Sequence, residues 1–213
     1  MGDTALSTVL SLASHELRGP TGVVRGYLKM LDQDPTLGER TRRTIGEATR
    51  AADRLVALLD EVGELARLKE GAVRLTLRTM SMRSLLAQAV QAVTLPASHD
   101  VELDVVGPVD VRLRIDEKRL RPVFETLIVT LARAQAGAAT IDLRLVKGRA
   151  ATSVTVTIRT LAHGTVADRP PDLSRGGTGL QLPIAEAVVQ AHGGRLRERW
   201  MAGRWAGFVV KLG

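Results

Sequence analysis

Ser14-His15-Glu16-Leu17-Arg18-Gly19-Pro20 lies within a strongly periodic run that predicts a helix from about residue 5 to residue 33. Apolar residues recur in this run at helical spacing, so one face of the helix is expected to be apolar. His15 falls beside that face, near solvent, and Glu16 follows it directly. Pro20 cannot donate to the carbonyl four residues back, so a kink is expected just after the His-Glu pair.

A second long helix is predicted from about residue 37 to residue 68, after a turn marked by Asp34-Pro35 and Gly38. Two such helices joined by a short loop form an antiparallel hairpin, and each carries an apolar stripe that two helices alone cannot cover. Pairing two hairpins into a dimeric four-helix bundle covers both stripes. A homodimer through residues 1–70 is therefore expected, and packing of the hairpin against the chain's own second domain is the alternative.

Residues 71–213 show a different pattern, which predicts a second domain. Alternation at Val73, Leu75 and Leu77 predicts a first strand, and Asp116 is a good N-cap for a helix. Further strands are predicted at 101–106, 109–115, 140–146, 153–160, 195–201 and 205–212, and helices at 82–93, 117–136 and 180–191. Mostly antiparallel strands with three interleaved helices indicate an α+β two-layer sandwich.

Composition excludes several classes of site and protein. The chain of 213 residues has no cysteine, which excludes disulfides and thiolate chemistry and suits a cytoplasmic protein. Its four histidines are scattered without metal-ligand spacing, so no metal site is expected. No apolar run approaches the ~18 residues that a membrane span needs, so no membrane segment is expected in this chain.

Charge is unevenly distributed along the chain, whose formal net charge is +7. Residues 1–70 carry 10 Lys and Arg against 11 Asp and Glu, whereas residues 71–213 carry 20 against 12. Solvated surface charge is the default interpretation of the basic second half, and an acidic protein partner is the next. Binding to nucleic acid is not predicted, because no nucleic-acid-binding motif accompanies the charge.

The SHELRGP string resembles the H-box of two-component histidine kinases, in which Ser-His-Glu-Leu-Arg is followed by Thr or Asn and then Pro. The resemblance implies that His15 is a phosphoryl acceptor on a dimeric hairpin and that its partner is a response regulator receiver domain. It implies that Glu16 accepts the second imidazole N–H and that Arg18 helps to neutralise phosphate. It also implies that residues 71–213 form a Bergerat-type domain, the nucleotide-binding fold shared with gyrase-type ATPases.

Three nucleotide motifs of that family are altered here. Thr126 and Thr130 stand at two asparagine positions of the magnesium-binding helix, and Arg133 matches a residue that touches phosphate. The adenine motif Asp-x-Gly-x-Gly is matched by residues 160–164, in which only Gly164 remains, and Gly-x-Gly-Leu-Gly-Leu is matched by residues 177–182, which keep Gly177 and Gly179. Losing the buried acceptor carboxylate alone removes a hydrogen bond worth roughly 1.5–3 kcal/mol. No cofactor is therefore expected, with ATP and magnesium binding only if the altered site still works.

An intact acceptor beside an altered nucleotide site predicts a histidine phosphotransfer protein. His15 would take a phosphoryl group from one response regulator aspartate and pass it to another, as a phosphotransferase without ATP-dependent kinase activity. An active sensor kinase core that phosphorylates His15 from ATP is the first alternative. A non-catalytic pseudokinase scaffold, whose basic domain docks a partner, is the second.

Overall fold

The structure is a computed structural model, which describes residues 2–95, 98–106, 111–135, 139–148, 154–162, 179–201 and 204–213. The chain divides into two compact units, Met1–Val73 and Arg74–Gly213. The first unit holds helices α1 (Gly2–Asp32) and α2 (Glu39–Lys69). The second holds, in chain order, β1 (Arg78–Ser81), α3 (Met82–Ala92), β2 (His99–Val106), β3 (Arg112–Ile115), α4 (Glu117–Arg133), β4 (Ala139–Lys147), β5 (Val154–Ala162), α5 (Gln181–Ala191), β6 (Arg195–Met201) and β7 (Arg204–Leu212).

The first unit is the predicted antiparallel hairpin, and α1 continues through Pro20 to Asp32. Two ion pairs link its helices one heptad apart, Arg18 with Asp60 and Arg25 with Asp53. The interface between α1 and α2 buries mainly small side chains, whereas most large apolar residues of α1 remain exposed. The hairpin therefore leaves an apolar face uncovered, as the sequence pattern predicted.

The second unit is built on a five-stranded sheet in the order β2-β4-β5-β7-β6 and a two-stranded sheet, β1-β3. β2 pairs with β4 in parallel and the other pairs are antiparallel. Alternate residues of a strand point to the same side, so the apolar residues of each strand lie on one face of the larger sheet. This face packs on the helices. Its buried members include Ile141, Leu143, Val156, Ile158, Phe208 and Val210, and Leu120, Phe124, Leu127 and Leu131 of α4 are buried with them.

A hydrogen-bond network fixes α4 against α5. Asp116 caps α4, its carboxylate accepting from the backbone N–H of Arg119 at 3.3 Å and of Thr76 at 2.8 Å. His192, just after α5, accepts the backbone N–H of Asp116 at Nε2 (3.0 Å) and donates from Nδ1 to the Val188 carbonyl (2.8 Å). The two backbone partners fix the ring tautomer, with the proton on Nδ1. The end of α5 therefore meets the start of α4, so the two helices pack antiparallel.

Element order agrees with the sequence prediction except at the first strand. The alternating residues 73–77 do not form a strand, and β1 lies instead at Arg78–Ser81, paired with Arg112–Ile115. The prediction was wrong because apolar alternation was the only strand signal available there, whereas the observed ladder follows from its partner strand. The strands are mostly antiparallel, as expected, and the β2–β4 pair is the parallel one among the described strands.

Candidate functional site

His15 lies exposed on α1, midway along the helix, as the periodicity predicted. Glu16 is exposed as well. Neither side chain has a hydrogen-bond or ion-pair partner among the residues that the structure describes, so the predicted His15–Glu16 hydrogen bond is not made here. Consecutive helical residues do not face each other, which explains why the pair is not in contact. An exposed imidazole is sterically open to a second protein.

Arg18 is engaged across the hairpin. Its Nε and Nη2 both donate to Oδ1 of Asp60, at 2.9 and 2.5 Å. Both side chains are partly exposed, so the pair stabilises the hairpin by about 1 kcal/mol at most. The resemblance implies that Arg18 contacts phosphate. In the structure the Arg18 guanidinium forms an ion pair with the Asp60 carboxylate on the neighbouring helix.

Ser14 and Gly63 form a close contact between the helices directly beside His15. Ser14 is buried, and its hydroxyl donates to the Ser11 carbonyl at 2.9 Å. A Cβ atom added at Gly63 would lie 2.9 Å from Ser14 Oγ, closer than real Cβ contacts allow. The backbone of α2 therefore approaches α1 closely at Ser14, the residue before His15.

The residues of the predicted nucleotide site are brought together in part. Thr130 is buried near the end of α4, and Arg133 is the exposed last residue of that helix. Gly179 has a φ of +78° and lies just before α5. Because α4 and α5 pack antiparallel, the end of α4 and the start of α5 lie at the same end of the helix pair. Gly164 and Gly177 lie outside the described residues.

Thr160 occupies the position at which the resemblance implies an adenine-binding aspartate. It lies in β5 opposite Ile141, and its Oγ1 is buried without a hydrogen-bond partner among the described residues. A threonine hydroxyl both donates and accepts, but it carries no charge. The position therefore retains a polar atom and lacks the carboxylate.

Comparison with known proteins bears on the hairpin first. Residues 5–71 match the family of the His Kinase A (phospho-acceptor) domain, HisKA. The match places the SHELRGP string and both helices of the hairpin within that domain.

Relatives of the whole chain agree with this match. The sensor protein DivL of Caulobacter vibrioides is 30% identical over 85% of this chain, which spans 24% of DivL. The sensor histidine kinase ZraS of Salmonella typhimurium is 23% identical over 98% of this chain, which spans 46% of ZraS. The crystal structure of full-length ShkA in complex with AMPPNP matches 96% of this chain and 45% of its own length, with a TM-score of 0.74 at 23% identity.

This chain has the core of a two-component histidine kinase. The helical hairpin is its phospho-acceptor part, and Arg74–Gly213 has the place of its α/β domain. The histidine kinase core spans less than half the length of the two relatives described above.

Sequence reasoning about the histidine kinase core missed Asp60 and Gly63, because both act through partners more than 40 residues away along the chain. The one feature of the sequence that could have indicated the close helix contact at Gly63 is a glycine within the apolar face of α2. In the described part of the chain, no helix is long and apolar enough to cross a membrane. The same residues contain no group of three or more His, Asp or Glu side chains arranged to hold a metal ion.

Proposed function

We propose that this histidine kinase core relays phosphoryl groups between response regulator aspartates through His15, without ATP-dependent autophosphorylation. The observation that carries the proposal is the contrast between the two units. The acceptor histidine is exposed on an intact phospho-acceptor hairpin, while hydroxyl groups replace the amides and the carboxylate of the nucleotide motifs.

The transfer step needs only groups that His15 and the regulator supply. A neutral imidazole has one bare nitrogen, which attacks the phosphorus of an aspartyl phosphate while the other nitrogen keeps its proton. The N–P bond forms, the P–O bond to the aspartate breaks, and the carboxylate leaves with the bonding electron pair. The imidazole becomes positively charged, and the exposed Glu16 carboxylate next in sequence is available to receive its N–H after a rotamer change. Transfer to a second regulator is the reverse reaction.

Magnesium ATP fits the altered motifs poorly. Thr126 and Thr130 offer hydroxyl groups where asparagine carbonyl oxygens are implied, and a threonine hydroxyl lies on a shorter side chain and is a poorer magnesium ligand. Thr160 offers a neutral hydroxyl where a carboxylate is implied. Each loss of 1.4 kcal/mol weakens binding tenfold, so several such losses remove useful affinity for the nucleotide.

Intact-mass spectrometry of the full chain tests the relay. One sample receives a phosphorylated receiver domain, and a second receives magnesium ATP. We expect a phosphoryl adduct from the receiver alone, its loss in His15→Gln, and its retention in His99→Gln, a matched change of a histidine in the other unit. An adduct from ATP that His15→Gln removes would overturn the proposal and establish an active kinase. No adduct from either donor would leave a docking scaffold.

ATP-dependent phosphorylation of His15 is the second candidate function. One feature favours it, namely the positive φ of +78° at Gly179, two residues before α5 begins. A helix start of this kind presents backbone N–H groups to a phosphate. Titration of the full chain with a fluorescent ATP analogue separates the two candidate functions. An ATP-dependent kinase requires saturable binding of the analogue, and Thr130→Asn should then increase the affinity. A phosphotransfer protein requires no such binding.

A further inference from the structure

Four basic side chains lie close together at one corner of the main sheet, on the face that points away from the helices. Cross-strand partners share a face, and β7 residues Phe208 and Val210 are buried against the helices. The alternate positions of β6 and β7 therefore point outward. They hold Arg195, Arg197 and Arg199 on β6 and Lys211 on β7. We call these four residues the basic corner.

The basic corner breaks a rule of sheet stability. Arg195 lies directly opposite Lys211, and like charges directly opposite each other destabilise a strand pair. Arg197 and Arg199 extend the same face over about 14 Å, from the rise of a strand. No acidic residue occupies an outward position of β6 or β7, because Glu198 pairs with Phe208 on the other face. Among the described residues, Arg195, Arg197 and Lys211 have no ion-pair partner.

β6 is also an edge strand, the last in the sheet order, so one side of its backbone is unpaired within the described residues. Edge strands are commonly protected from aggregation by charge, which is the simpler explanation of the arginines. That explanation does not account for the end of the strand, where Trp200 and Met201 are 50% and 52% exposed. Exposed apolar side chains on a free edge promote association.

We infer that the β6 edge and the basic corner bind an acidic, extended segment of a partner protein, which adds to the sheet as a further strand. The free backbone edge supplies main-chain hydrogen bonds, which an extended polypeptide can complete. Carboxylates on alternate residues of the segment meet the arginines, and an intervening apolar residue, which points to the other face of the sheet, packs on Trp200. The backbone edge and this apolar end favour a polypeptide over nucleic acid, which would gain nothing from unpaired peptide groups.

Binding of the full chain to a labelled peptide, Glu-Val-Glu-Leu-Glu-Val-Glu, tests the inference by fluorescence anisotropy. We expect saturable binding that weakens with salt and falls at least tenfold in Arg195→Ser/Arg197→Ser. The matched control, Arg83→Ser/Lys118→Ser, removes the same charge from exposed helical positions of the same unit and should change the affinity less than twofold. Equal weakening in both variants would show non-specific attraction and overturn the inference.

Two further probes distinguish the occupants. A peptide with lysine in place of glutamate should not bind, and a thymidine dodecamer that competes for the same residues more tightly than the acidic peptide would assign the surface to nucleic acid. In a Trp205→Phe background, emission from Trp200 should shift to shorter wavelength on peptide binding, since the exposed ring becomes covered. An unchanged tryptophan emission spectrum at saturating peptide would contradict the proposed position of the peptide beside Trp200.

The strain in the basic corner has a readout independent of any partner. Arg195→Glu places opposite charges across the β6–β7 pair, which should raise the melting temperature of the domain by about 1–4 °C. A lower melting temperature for this variant, with Arg83→Glu unchanged, would show that the four like charges do not destabilise the sheet and would remove the basis of the inference.

Discussion

At the scale of single residues, the contact between Ser14 and Gly63 sets the spacing of the hairpin beside His15. Gly63→Ala places a methyl group 2.9 Å from Ser14 Oγ, and overpacking of this kind lowers the free energy of unfolding by about 1–3 kcal/mol. Gly26→Ala, at a helical position with nothing within 4 Å, should instead raise it by about 0.5–1 kcal/mol. Hydrogen exchange of the α1 amides reports both changes.

A second substitution makes the Gly63 prediction specific. Ser14→Ala removes the hydroxyl, and the new methyl group at residue 63 would then lie 3.7 Å from the Cβ atom of residue 14, an ordinary contact. The double variant should therefore recover most of the protection that Gly63→Ala loses. Additive losses in the double variant would show that the glycine is needed for another reason.

Asp34, in the turn between α1 and α2, has a carboxyl group whose pKa is lowered by its neighbours. The Thr36 hydroxyl and then the Thr36 backbone N–H hydrogen-bond its carboxylate, and these bonds hold the pKa of Asp34 below its ordinary value of 3.8. The resulting stabilisation is fully present above the ordinary pKa and is lost as pH falls through the lower, folded value. In an NMR titration, Thr36→Val should move the pKa of Asp34 upward, whereas Thr44→Val should leave it in place.

Arg18 has a partner that its local sequence does not predict. Its place after His15 and its charge predicted a phosphate contact, and both features are local. The structure pairs it with Asp60, which is 42 residues away. Only the register of the hairpin brings the two together, and a heptad slip of either helix would have chosen other partners. The exposure of His15, by contrast, follows from helical periodicity alone and was predicted correctly.

At the scale of elements, the start of α4 depends on Asp116. The buried carboxylate accepts two backbone N–H groups, so Asp116→Ala should lower the free energy of unfolding of the second unit by about 1–3 kcal/mol. Asp116→Asn retains one acceptor oxygen and should lose about half as much. Lys118→Ala, exposed on the same helix, should change it by less than about 0.5 kcal/mol. Urea unfolding followed by tryptophan fluorescence measures all three, and equal losses for Ala and Asn would contradict the capping role.

The same elements show how far a sequence pattern reaches. Caps and periodicity located α3, α4 and α5 to within a few residues, since those signals are carried by each helix itself. Strand β1 was misplaced because Arg78–Ser81 has no apolar alternation and is defined by its pairing with β3. Likewise, the parallel pairing of β2 with β4 is a property of topology that neither strand encodes alone.

At the scale of the whole molecule, the order of elements and the SHELRGP string together were enough to predict the two-part architecture. What the sequence could not supply is the set of contacts that positions the site, because these join helices across the fold. The nucleotide motifs illustrate the difference. Their altered residues can be read directly, yet the packing that brings the end of α4 and the start of α5 together is visible only in contacts across the fold, such as the His192–Asp116 hydrogen bond.

The uncovered face of α1 leads to a prediction about assembly. Leu10, Leu17, Val24 and Leu31 recur every seven residues, and each is at least 40% exposed in the single chain. A seven-residue apolar repeat forms a seam that a second helical hairpin covers. We therefore expect the full chain to sediment as a dimer, with this seam at its centre.

Val24→Glu tests the seam, because a symmetric dimer carries each substitution twice. Losing the burial of two valines at about 1.5–3 kcal/mol each should weaken the dimer by roughly 10²- to 10⁴-fold in sedimentation equilibrium. Lys29→Glu, five residues further along on the opposite side of α1, should leave it intact. A wild-type chain that sediments as a monomer at all concentrations would contradict the predicted dimer, because the apolar repeat would then have no second hairpin to cover it.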